Sequence, residues 1–254
     1  MPNITLSKCV RRIKESPTLA ITAKAAKLKA EGKDIIGLAA GEPDFDTPNF
    51  IKEAAIKAIN DGLTKYTPVT GTPSLKQAVV KKLKRDNKLD YEINEVIVGV
   101  GGKQCIFNLF LALLNSGDEV IIPTPYWVSY TDIVELTGAS PVLIHCGIEQ
   151  SFKMTPNQLE HSINKHTKLV VLNSPSNPTG STYSKAELKA LADTLIRYPD
   201  ILLMTDDIYE HIRLDDHPFH NIVMVEPKLK DRCIIINGVS KAYSMTGWRI
   251  GFAA

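Results

Sequence analysis

Several residues of reactive type stand directly after short apolar, β-branched runs. Lys241 follows CIIIN (233–237) across Gly238-Val239-Ser240, and Asp206 follows ILLMT (201–205) with Tyr209 three residues on. Asn177 lies in the turn-forming stretch NSPSNPTG (173–180) after KLVVL (168–172), and Trp127 stands just past EVIIP (119–123). Gly101-Gly102-Lys103 separate EVIVGV (95–100) from the apolar stretch CIFNLFLALL (105–114). An amine that is desolvated and close to cations has a lowered pKa and condenses with aldehydes. A carboxylate facing a pyridine nitrogen keeps it protonated and turns the ring into an electron sink. A guanidinium such as Arg249, with a glycine-opened helix N-terminus, holds a phosphate dianion. An indole past a strand end stacks on a flat ring. Asp206, directly after an apolar strand, is expected to be partly buried and in need of a cationic partner. Each signal alone has a plainer reading. The glycines make a helix-start turn, Trp127 a core or interface aromatic, Asp206 an N-cap, 173–180 a turn, and Lys241 a solvated amine.

What unites these residues is the alternation of elements that carries them. The runs at 95–100, 119–123, 141–145, 168–172, 201–205 and 233–237 mostly lack polar alternation, as expected of parallel strands covered on both faces. Amphipathic segments lie between them, which argues for an α/β layered domain whose ligands bind beyond the carboxyl ends of the strands. Upstream, Ser16-Pro17 and Gly32 bracket an expected helix over 17–31, with Ser16 as N-cap. IIGL (35–38) reads as a short strand leading to the Gly41-Glu42-Pro43-Asp44 turn. Further helices start at Thr47-Pro48, with Ile51, Ala54, Ala55, Ala58 and Ile59 on one face and Gly62 at the end, and at Thr72-Pro73. The first forty or so residues stand outside the α/β rhythm and are expected to belong to another structural unit. The chain stops inside the strand-like RIGFAA (249–254), which suggests a fragment.

Composition excludes several classes. Thirty Lys and Arg against 28 Asp and Glu leave a net charge of +2 in 254 residues, so no electrostatic footprint for nucleic acid stands out. No apolar run reaches the roughly 18 residues of a membrane span, and no secretory apolar stretch follows the basic N-terminal residues. Cys9, Cys105, Cys146 and Cys233 lie far apart without a CxxC pair, so they read as reduced, mostly buried thiols of a cytoplasmic protein, with no metal site. A nucleotide-binding module is disfavoured on named residues. Ile97 stands where a P-loop needs its first glycine, Gln104 replaces Ser or Thr, and a dinucleotide fingerprint lacks its third glycine at the same position.

An imine-forming Lys, a carboxylate for a ring nitrogen and a phosphate cradle are the requirements of pyridoxal phosphate. The stretches GEPDFDTP (41–48), YTPVTG (66–71), NPTG (177–180), DDIY (206–209) and SKAYSMTGWRIG (240–251) resemble the class I and II aminotransferases, in order along nearly the whole chain. They are most similar to the bacterial aspartate aminotransferase subgroup, some of whose members also accept prephenate. The resemblance implies an α/β fold with a mostly parallel seven-stranded sheet and helices on both faces. Residues 1–45 would form the N-terminal segment of a small domain and 46–254 an incomplete cofactor-binding large domain.

By the same resemblance, Lys241 is the Schiff-base lysine and acid/base, Asp206 the partner of the pyridinium nitrogen, and Tyr209 and Asn177 the partners of the ring oxygen. Trp127 would stack on the ring. Gly101, Gly102, Lys103, Ser240 and Arg249 would form the phosphate site, Gly102 and Lys103 through backbone N–H groups. Tyr66 would reach the cofactor of a neighbouring subunit, implying a homodimer with shared sites. Gly41, Trp127 and Asn177 would face substrate. The implied reaction is transamination of L-aspartate with 2-oxoglutarate, with prephenate, aromatic or alanine specificity as alternatives. Asp207 departs slightly from the family pattern, which has Glu there. The larger departure is that the arginine gripping the substrate α-carboxylate belongs to a later part of the family's chain. A cofactor-binding fragment without turnover therefore stays open, as does the loss of a packing partner for Leu19, Ala23 and Ala26.

Overall fold

The structure, a computed structural model, describes residues 4–13, 17–38, 41–214 and 216–254. Its centre is one seven-stranded sheet: β1 (Ile97–Val100), β2 (Glu119–Thr124), β3 (Ser140–His145), β4 (Thr167–Asn173), β5 (Leu202–Asp206), β6 (Cys233–Gly238) and β7 (Ile250–Ala253). The spatial order is β1-β7-β6-β5-β4-β2-β3. Strands β2 to β6 run parallel, while β7 is antiparallel to both β6 and β1. The central strands are buried nearly throughout. The outer β1 and β3 are partly exposed, as edge strands must be.

Two cores follow from the pleat, because successive side chains leave a strand on opposite faces. In β4, Val170 and Leu172 join one core while Leu169 and Val171 join the other. The helices are α1 (Pro17–Ala30), α2 (Asn49–Asn60), α3 (Pro73–Lys82), α4 (Gly102–Leu113), α5 (Ser129–Thr137), α6 (Pro156–Ser162), α7 (Lys185–Ile196) and the short α8 (Ile222–Val225). The Val170 core is closed by α3, α6, α7 and α8 through Val79, Leu159, Leu188, Leu191, Leu195 and Val223. The Leu169 core is closed by α4 and α5 through Ile106, Phe110, Tyr130, Ile133 and Val134. Local chemistry sets the helix starts: Thr155 and Ser184 make capping boxes with Gln158 and Glu187, and Thr72 accepts from the Leu75 amide at 3.4 Å.

Some expected elements change. IIGL (35–38) forms no strand, and Ile36 and Leu38 are 84% and 91% exposed; a β-branched run without a neighbouring edge to pair with cannot form a ladder. The strand expected from 95 begins at Ile97, because the Glu92–Glu95 capping box winds Ile93–Glu95 into a 3₁₀ turn. α2 forms where expected but buries none of its residues. Gly32 closes α1 with φ +80. The N-cap expected at Ser16 and the side chain of Leu19 lie outside the described residues, and Ala23 and Ala26 are exposed. The four cysteines are free, with Cys9 exposed and the other three buried. Among the described residues no helix is long and apolar enough to cross a membrane.

The antiparallel β7 sets Gly251 against Gly101 and Gly102. A Cβ on Gly251 would lie 2.2 Å from the Gly102 amide nitrogen and 2.4 Å from the Gly101 carbonyl carbon, so β7 packs directly against the start of α4. Gly251→Ala is therefore expected to lower stability by about 2–3 kcal/mol through overpacking against backbone. A urea midpoint equal to that of the parent chain would contradict this close approach.

Candidate active site

The parallel register gathers the reactive side chains along one edge of the sheet. Asn173 at the end of β4 pairs with Asp206 at the end of β5, and Asp206 pairs with Ile236 near the end of β6. Lys241 and Ser240 lie just beyond β6. The first turn of α4 lies against the same strand end, where a Cβ on Gly102 would come 3.5 Å from Ile236 and 3.9 Å from the Asn237 carbonyl oxygen. The first amides of a helix have no intrahelical acceptor and carry the positive end of its dipole, so this edge is suited to an anion.

Asp206 is 5% exposed. Its Oδ2 accepts the Tyr130 hydroxyl at 2.6 Å, and Oδ1 accepts the Ile208 amide at 3.3 Å. The cationic partner expected from sequence is absent among the described residues; a neutral phenol takes that place, because α5 presents Tyr130 from within its core. Burial pushes the carboxyl up to about 6, and the bonds from Tyr130 and Ile208 pull against that rise. Nor is Asp206 an N-cap, since a turn rather than a helix follows it. Neighbouring Asp207 accepts Thr205 Oγ1 and Asn221 Nδ2, both at 2.7 Å, and burial pushes it up to about 7.

Lys241 Nζ donates to the Gly41 carbonyl oxygen and stands 5.8 Å from the centre of the Tyr209 ring. Burial, helped by the charge of Arg249, lowers its pKa, while Glu42 works in the opposite sense. Burial raises the Tyr209 pKa while Asn177 beside it works in the opposite sense, so Lys241, Tyr209, Asn177 and Gly41 lie together on this edge. Arg249 takes the left-handed conformation at φ 56 and donates from Nη1 to the Thr246 carbonyl at 2.8 Å. Its guanidinium reaches Gly101, where a Cβ would lie 2.2 Å from Nη2. Gly101 takes φ +80, a conformation that favours glycine, directly beside the flexible end of that side chain. Trp127 lies under the Lys103 ammonium, 4.8 Å from the ring centre, and meets the Tyr130 ring edge-on at 5.3 Å. Burial and the charge of Arg249 lower the Lys103 pKa. Ser240 is buried on the same rim. Tyr66 joins none of these contacts among the described residues and is fully exposed at 108%.

The sequence reading passed over three supports. Tyr130 carried a usable signal: a tyrosine at a core position of an amphipathic segment needs a partner for its hydroxyl. Asn173 donates to the Asp206 carbonyl at 2.8 Å and accepts the Asn177 amide at 2.8 Å, spanning β4, β5 and the turn. Glu210, buried one residue after Tyr209, accepts Asn87 Nδ2 and Asn237 Nδ2 at 2.9 Å each and pairs with Lys82. This cluster ties the helical turn at 83–87 to the ends of β5 and β6. No local pattern announced the last two.

The segments 41–48 and 240–249 also interlock. Thr47 Oγ1 donates to the Ser244 carbonyl at 2.6 Å, Trp248 Nε1 donates to Thr47 Oγ1 at 3.1 Å, and Thr246 Oγ1 bonds Glu42 Oε2 at 3.1 Å.

A desolvated lysine, a buried carboxylate and the first turn of α4 thus share one edge of the layered α/β sheet. Residues 33–254 match the family described as aminotransferase class I and II, and the chain belongs to that family. It is 61% identical over 247 residues to the aspartate/prephenate aminotransferase of Nitrosomonas europaea, covering 97% of this chain and 62% of the relative. It is 55% identical over 249 residues to that of Cereibacter sphaeroides, again covering 62% of the relative. Among solved structures, the aspartate aminotransferase from Rhizobium meliloti superposes with a TM-score of 0.95 at 50% identity, over 99% of this chain and 63% of that one. The Thermus thermophilus aspartate aminotransferase with maleate gives 0.94 at 44% identity, over 99% and 64%. The chain thus spans less than two thirds of the length of these relatives.

The state of Asp206 sets a pH test. Folded, the carboxyl holds its proton to about 6; unfolded, it releases it near 3.9. The folded chain binds the extra proton between these values, so this group's contribution to stability falls as pH rises through that window. Asp206→Asn removes the penalty. It is expected to leave stability near pH 4 little changed and to raise it by about 1–3 kcal/mol above pH 7. Parallel stability–pH curves for the two chains would contradict the buried, cation-free carboxylate.

Proposed function

We propose that this chain is the cofactor-binding part of a pyridoxal-phosphate-dependent aminotransferase acting on L-aspartate and 2-oxoglutarate. The observation that carries the reading is the placement of a desolvated Lys241 amine on the same strand-end rim as the buried, cation-free Asp206. The fit of this site to the group rests on three features. Asp206 lacks a cation that a pyridinium N–H would supply. Gly101 and Gly251 leave room for Arg249 and the α4 amides to converge, where any Cβ would intrude. The half-buried Trp127 offers an indole face beside them.

When bound, pyridoxal phosphate supplies an aldehyde and an electron-withdrawing ring that acidifies the substrate α-carbon. Lys241 Nζ would be the amine that holds the aldehyde and the base that takes a proton from the substrate α-carbon; its lowered pKa suits both roles. Asp206 would keep a proton on the ring nitrogen, Tyr209 and Asn177 would hydrogen-bond the ring oxygen, and Trp127 would stack on the ring. The amides of Gly102 and Lys103, with Ser240, Arg249 and the turn at Gly101, hold the phosphate. Gly41, Trp127 and Asn177 line the substrate side. The full exposure of Tyr66 supports a homodimer in which it serves the partner's site, and the bare apolar face of α2 is consistent with that. The name shared by the curated relatives supports prephenate as a second acceptor class.

Borohydride reduction of the chain with pyridoxal phosphate, followed by peptide mass analysis, is expected to place a single adduct on Lys241. Lys241→Ala is expected to lose the adduct and keep the fold. An adduct retained at another lysine, or none on a folded chain, overturns the assignment.

A further inference from the structure

We propose that Tyr130 is a positioning residue for this site: its hydroxyl holds the Asp206 carboxylate for a ring nitrogen, and its ring edge braces the Trp127 indole. The inference rests on the cofactor reading given above.

Tyr130 lies in the α4–α5 core at 2% exposure, where phenylalanine would satisfy the packing. A buried hydroxyl is costly unless bonded, and its partner is Asp206 Oδ2 at 2.6 Å, in the range of a charge-assisted bond. The other donor to this carboxylate, the Ile208 amide, is 3.3 Å away. Tyr130 is thus the strong donor that favours the ionised form of Asp206 against its burial. Burial and the Asp206 charge hold the phenol far above its ordinary pKa, so it remains a donor across the working range.

The same side chain acts on a second surface. Its ring meets Trp127 edge-on, at 5.3 Å between centres and 89° between planes, and the Tyr130 amide donates to the Trp127 carbonyl at 3.0 Å. Lys103 stands over the same indole at 4.8 Å. One residue therefore links the face that a flat ligand would lie against with the carboxylate that its nitrogen would meet. A displacement of Tyr130 would disturb both contacts together.

The test compares binding of pyridoxal phosphate with that of its 1-deaza analogue, in which CH replaces the ring nitrogen. Tyr130→Phe keeps the ring and removes the donor. It is expected to weaken pyridoxal phosphate about tenfold or more and to leave the analogue within about twofold. In an Asp206→Asn background the same substitution is expected to change little, since the coupled partner is gone. Loss of the donor raises the Asp206 pKa, so the acid limit of pyridoxal phosphate binding is expected to move to higher pH. Circular dichroism checks the fold, and Tyr130→Leu gives the same ratio of affinities should the phenylalanine variant not fold. Equal weakening of both compounds, or an undiminished effect in the Asp206→Asn background, overturns the proposal. If the parent chain binds neither compound, the cofactor reading itself falls and this inference with it.

Discussion

A carboxylate with no cation beside it among the described residues, buried at the end of a central parallel strand, is the constraint around which this site is built. Asp206 is costly in the absence of a positively charged neighbour, since burial drives it toward its neutral form. Tyr130 and the Ile208 amide offset part of that cost, and Asn173 fixes the Asp206 backbone through its carbonyl. The polar groups that support Asp206 do not neutralise it. A site arranged in this way is less stable empty than an apolar core would be, and it gains most from a ligand that brings its own N–H⁺. Stability is given up locally for a preorganised electrostatic environment.

Around that carboxylate the protein arranges the opposite charges at the far side of the rim. Burial, and after it the charge of Arg249, lowers the pKa of Lys103, and Arg249 adds to the burial that lowers that of Lys241. Concentrating cations beside an anion cradle thus helps to produce a reactive amine close by. The geometry depends on glycine at two places. Gly101 turns at φ +80 under the Arg249 guanidinium, and Gly251 lets β7 touch the start of α4. A methyl group at Gly251 would press on the backbone at the start of α4.

Two polar clusters bind distant parts of the chain to this edge. The bonds from Thr47, Thr246 and Trp248 join segments about two hundred residues apart, and they bring the Gly41 carbonyl to Lys241. On the other side, Glu210 with Lys82, Asn87 and Asn237 ties a helical turn to the strand ends that carry Tyr209 and Lys241. Removing a partner from the Glu210 cluster leaves a buried carboxylate desolvated and unpaired, so that tie resists change more than a surface ion pair does.

Much of the architecture was legible in the amino-acid order. Unbroken β-branched runs marked the buried strands, because a strand covered on both faces has no polar side to show, and Thr72 marked a helix start through its local cap. The rim residues Asn177, Asp206, Tyr209 and Lys241 were visible because each follows such a run. IIGL at 35–38 misled for the same reason: a strand needs a neighbour, which composition cannot supply. The sequence by itself determined the strand-and-helix alternation and the edge on which reactive groups stand, since both follow from short-range pattern. Only the tertiary structure decided that Asp206 meets Tyr130 instead of a cation, that Glu210 closes on Lys82, and that Gly41 meets Lys241. These contacts join residues about 75 to 200 positions apart, and they arise from strand register and helix packing, which no local pattern encodes.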